Sequence, residues 1–150
     1  RQTVYNEMGS KPGLAEAMVL RELAIFLAGV DSAFEEHPTD LVAAVRAASL
    51  TVLTLAETNA LLQAVVSASY GAETDLLPLL TTQSDALVDT AKQVISARLG
   101  GYDIALEGRR LDAAIDMLVR LVLSHVTHPS DTPARTADDI AWIVERALHP

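Results

Sequence analysis

The sequence predicts an all-α fold, and three observations carry that expectation. Ala and Leu supply 24 and 22 of the 150 residues, while aromatic residues make up only 4%. Ala and Leu favour helices, whereas strands favour β-branched and aromatic residues. Apolar residues recur at helical spacing through most of the chain, and no stretch alternates with the period of a strand. The 7 Gly and 6 Pro stand mostly between these periodic stretches, where they stop or start helices. Half of the residues are apolar, enough for one sizeable core in a chain of single-domain length, and too many for a disordered chain.

The elements follow in order. Residues 1–8 read as the tail of a short helix that Gly9 ends in a left-handed conformation. Ser10 caps the next helix, with Pro12 in its first turn, where a missing N–H does no harm. This helix is expected to run to about Ala28, closed by Gly29, with a polar connection over 30–38. Thr39 or Asp40 caps a third helix to about Glu57. Arg46 is its only interior charge, which predicts a central position. Asn59 caps a short helix through Ser69, ended by Tyr70-Gly71, and 76–80 is an apolar segment interrupted by Pro78. Ser84 or Asp85 opens a helix to about Leu99, stopped by Gly100-Gly101. A long helix follows from about Asp103 to Thr127, stopped by His128-Pro129. The last runs from Pro133 or Ala134 to Leu148, opened by Thr132 and closed by Pro150. No internal repeat or low-complexity tract is present.

Composition excludes several function classes. Without cysteine there is no disulfide, thiolate chemistry or Cys-ligated metal. The longest uncharged stretch, Thr58 to Ala72, is shorter than the roughly 20 residues a membrane span needs. No signal peptide is visible, so the expectation is a soluble cytoplasmic domain. The net charge of −9 sits almost wholly in residues 22–91, where ten acids meet one base. An acidic body does not attract nucleic acid, which needs Lys and Arg at its phosphates; its ordinary role is solubility. No H-E-x-x-H, nucleophile elbow, P-loop or Gly-rich dinucleotide loop occurs. His125 and His128 are three apart without a supporting carboxylate pattern. The chain therefore reads as no enzyme, with no metal and no cofactor.

Two helices ask for partners on more than one side. On a wheel of 100° per residue, Leu111, Ile115, Leu118, Val122 and His125 share one face of the long helix. Ala113, Ala114, Met117, Leu121 and Ser124 lie on the adjoining face, and Asp112, Asp116 and Arg120 form one narrow polar stripe. Asp116 and Arg120 are spaced as a favourable i,i+4 pair. The last helix groups Ile140, Ile143, Val144, Ala147 and Leu148, with Trp142 opposite among charges. A large aromatic amid charges is a usual interface anchor, the alternative being a ring laid over its own chain. Together these helices predict a homodimer joined by a four-helix bundle, with Leu111, Leu118, Val122, His125 and Trp142 at the interface.

The opening reads Arg1-Gln2-Thr3-Val4-Tyr5-Asn6-Glu7-Met8-Gly9-Ser10-Lys11-Pro12-Gly13-Leu14. This resembles the recognition helix and following turn of the TetR family of bacterial transcriptional regulators. The family pattern is a small hydroxylated residue, an aliphatic, Tyr, two variable positions, an aromatic, a small residue, Ser or Asn, Lys, and Leu three on. Thr3, Val4, Tyr5, Gly9, Ser10, Lys11 and Leu14 fit in register, and Met8 replaces the usual Phe. The layout from Leu118 through His128-Pro129 to the final helix is similar to that of actinobacterial members.

The resemblance implies a TetR-like helical ligand-binding domain that dimerises through its last two helices. Residues 1–11 would be the remnant of a helix-turn-helix DNA-binding domain, whose first two helices are missing, and 12–150 the ligand-binding and dimerisation domain. Gln2, Thr3 and Asn6 suit base edges, since Gln and Asn pair bidentately with adenine. Arg1, Tyr5 and Lys11 complete the expected DNA contacts, Tyr5 and Lys11 as phosphate holders. A small, mainly apolar effector is expected in the body, lined by Phe26, Leu50, Thr51, Leu62, Val65, Val66, Leu87, Met117 and Leu121, with Thr54 and Gln63 as polar anchors. Each of these residues also serves as plain core. The expected function is a ligand-responsive repressor that leaves operator DNA when an effector favours one arrangement of the body. The competing expectation is a helical protein-interaction module with no DNA or ligand role.

Overall fold

A computed structural model of the chain describes residues 11–59 and 77–148. These residues form five helices and no strand: α1 (Lys11–Glu36), α2 (Leu41–Thr58), α3 (Leu77–Leu99), α4 (Gly108–Thr127) and α5 (Pro133–Leu148). The expected helices at 1–8 and 60–69, and the Ser10 cap, lie outside the described residues.

The second helix occupies the centre, as its composition predicts. It packs against α1, α4 and α5. Asp40 caps it, accepting the Ala43 N–H at 2.9 Å, which satisfies one of the donors every helix start leaves open. Leu41–Thr58 is long and apolar enough to cross a membrane by length and composition alone. Here one face of that apolar length is buried, through Ala44, Val45, Ala48, Ser49, Leu53 and Ala56. Several of these side chains are small, as are Ala137 and Ala141 on α5, so the two helices approach closely. Ile140, 1% exposed, is the largest fully buried side chain among the described residues.

The first helix does not end at Gly29. It continues to Glu36 because Val30, Ala33 and Phe34 extend the same core face, with Ala33 and Phe34 buried. Gly29 is a helix-interior residue at a close crossing: a Cβ there would lie 2.7 Å from Thr51 Cγ2. The small residue that resembles a stop signal is a packing requirement. The expected polar connection over 30–38 therefore shrinks to residues 37–40. Eight residues along α2 from Thr51, Asn59 Nδ2 donates to Glu22 Oε2 on α1 at 2.5 Å. These two contacts fix an antiparallel register between α1 and α2.

The third helix begins at Leu77, earlier than the expected Ser84 or Asp85. Pro78 falls in its first turn, where proline opens a helix rather than interrupting one. The helix ends at Leu99, as the Gly100-Gly101 pair predicts.

The fourth helix begins at Gly108, five residues after the expected Asp103. Two interactions hold the intervening stretch out of helix. Tyr102 Oη donates towards the carbonyls of His37 at 2.7 Å and Phe34 at 3.3 Å, so it covers carbonyls at the end of α1. Its ring meets Phe34 edge-on at 6.1 Å, and Ile104 packs on the core. Glu107 is extended, and Gly108 turns the chain at φ +52°, a conformation that favours glycine. The fifth helix follows its expected bounds, with Thr132 Oγ1 accepting the Arg135 N–H at 3.4 Å.

Ion pairs link the helices at their rims. Arg46 meets Asp138 across α2 and α5 at 2.6 Å. Arg98 holds Asp31 and Glu35, tying α3 to α1. Lys92 and Arg120 share the Asp116 carboxylate, each at 2.9 Å. Such exposed or half-buried pairs at the rim each contribute little to stability, and they fix orientation around the apolar core.

Candidate functional site

Two surfaces compete for the functional role, an interior effector site and the outer face of α4 and α5. The expected effector residues are scattered by burial. Phe26 on α1, and Leu50 and Thr51 on α2, are half-buried, and Thr51 lies against Gly29. Leu121 on α4 packs on the core. Thr54 is exposed, and Met117 is 71% exposed. Leu87 lies on α3. Leu62, Gln63, Val65 and Val66 fall outside the described residues, as do Arg1, Gln2, Thr3, Tyr5 and Asn6 of the expected DNA contacts. Lys11 opens α1.

A cleft of about 90 Å³ lies where the C-terminal ends of α2 and α4 meet the start of α5. Leu53, Ala56, Val126, Pro129 and Pro133 supply apolar walls, and Glu57, His125 and Asp131 the charged or titratable groups. Sites for drug-sized ligands run to several hundred Å³, so this cleft suits a much smaller guest. His125 Nδ1 lies 3.3 Å from Ser130 Oγ. Asp131 is held below the usual carboxylate range, chiefly because it accepts the Thr132 N–H at 2.7 Å and secondarily through Arg135. No group of three His, Cys, Asp or Glu able to hold a metal occurs among the described residues.

The outer face of α4 and α5 carries a different signal. Of the residues expected at a dimer interface, Leu111, Leu118 and Val122 pack against the chain's own core. His125 lines the cleft. Trp142 alone among them is exposed, at 59%. Met117, Leu123 and Ile143 join it as exposed large apolar side chains on these two helices. Ile143 and Ala147 do not share the buried face of α5 with Ile140. That face is narrower than the wheel suggests and centres on Ala137, Ile140 and Ala141, because α5 packs chiefly on α2. The wheel places Met117 beside Leu121 on a second apolar arc of α4, of which Met117 is left exposed while Leu121 packs on the core.

Residues 40–146 match the model of a family described as the bacterial tetracyclin repressor, C-terminal domain. The chain belongs to the TetR family. A helix-turn-helix-type transcriptional regulator of Mycobacterium tuberculosis, AlkX, is 27% identical over 145 residues, covering 96% of this chain and 67% of that protein. No solved structure matches. The TetR match spans α2 to α5 almost completely, so the central helix, the cleft and the outward apolar residues all lie within the shared domain. The all-helical architecture is that of a TetR C-terminal domain, and the chain is a transcriptional regulator.

Proposed function

We propose that this TetR-family chain is the sensing and dimerising body of a ligand-responsive repressor. Two copies join through the outer faces of α4 and α5 in a four-helix bundle. A small, mainly apolar effector binds within the body and lowers affinity for operator DNA. The observation that carries this reading is the exposure of Met117, Leu123, Trp142 and Ile143 on the last two helices. Exposed large apolar side chains are candidates for association sites, and Trp is among the residues enriched at interface anchors.

Regulation in this reading is a difference in affinity. An effector acts only by binding one arrangement of the body more tightly than another, and couplings of this kind amount to about 1–3 kcal/mol, a change of 5- to 150-fold in affinity. DNA is read by the segment holding Arg1, Gln2, Thr3, Tyr5, Asn6 and Lys11. The protein acts in the cytoplasm, where operator DNA is, and by binding rather than catalysis.

A native mass spectrum of the purified chain tests the reading, because it reports assembly and retained small molecules together. A dimer that carries added mass, lost on activation in the gas phase, is the expected result. A monomer at tens of micromolar protein would overturn the association, and failure of every apolar compound in a screen to add mass would overturn the effector.

A further inference from the structure

We draw no further inference here: the strongest candidate, the cleft between the C-terminal ends of α2 and α4 and the start of α5, brings Glu57, His125 and Asp131 together, but no buried side-chain polar atom among the described residues lacks a partner and so points to a ligand there.

Discussion

Replacing Gly29 with Ala isolates a close approach of α1 and α2. The added Cβ would sit 2.7 Å from Thr51 Cγ2, well inside the roughly 3.5–4.0 Å at which carbon atoms attract. Thr51 is β-branched on a helix, so its methyl has few positions to retreat to. Either Thr51 rotates or the helices part, and overpacking of this kind costs roughly 1–3 kcal/mol. Opposing it is the helix preference of Ala over Gly, roughly 1 kcal/mol. The net expectation is a loss of about 1 kcal/mol. Thr51→Ser removes the opposing methyl. In that background Gly29→Ala keeps its helix benefit without the clash, and stabilises by roughly 0.5–1 kcal/mol. The change of sign between backgrounds is the signature, equivalent to a coupling of about 1.5–2 kcal/mol. Urea midpoints of the four proteins, followed by far-ultraviolet circular dichroism at one protein concentration with slopes compared, give these differences directly. Equal stabilisation by Gly29→Ala in both backgrounds would refute the close crossing, whereas equal destabilisation in both would return Gly29 to the role of a helix stop in a left-handed conformation.

Two further expectations concern the core and the acid limb. Ile140→Ala empties the most buried large side chain and should cost roughly 2–5 kcal/mol, measured as a lowered urea midpoint; a loss below about 1 kcal/mol would mean that α5 is not seated on α2 as described. Asp116 is held below its ordinary value of 3.8, first by its bond to the Lys92 ammonium and then by the Arg120 guanidinium. Its folded value lies below the unfolded one, so its contribution is complete above 3.8 and disappears as pH falls through the lowered folded value. Asp116→Asn should therefore reduce stability at neutral pH and flatten its fall at acid pH, and an unchanged slope of melting temperature against pH would count against the α3–α4 link.

Much of the fold is legible in the residues, and two of the misplacements share one cause. Asp40, Thr132 and the Gly100-Gly101 pair act locally, through a side chain or a backbone conformation within a few residues, so the ends they set are where the sequence puts them. Gly29 and Asp103 depend on partners far along the chain. Gly29 is explained only by Thr51, twenty-two residues on. The delayed start of α4 follows from Tyr102 reaching the end of α1, more than sixty residues back. Pro78 has two local readings, interruption or first turn, and composition does not choose between them.

The exposed apolar side chains of the last two helices are legible in outline and less so in detail. A wheel shows that α4 has more apolar surface than one core requires, but not which arc the rest of the chain covers. The structure turns Leu111, Leu118 and Val122 to the core and leaves Met117 outside. The same limit applies to Ile143, whose apolar neighbours at 140 and 144 suggest burial that the seating of α5 on α2 does not provide. Trp142 was identifiable because an indole flanked by charged residues conflicts with its surroundings in a way that periodicity alone reveals.

Sedimentation equilibrium of the chain beside its Met117→Glu variant tests the proposed association most directly. Met117 is 71% exposed in the single chain, so a carboxylate there does not disturb the core and becomes costly only when a second copy covers it. The account predicts a dimer for the parent chain and a monomer for the variant, with the same helical content for both. A variant that stays dimeric, or a parent that sediments as a monomer at tens of micromolar, would contradict it.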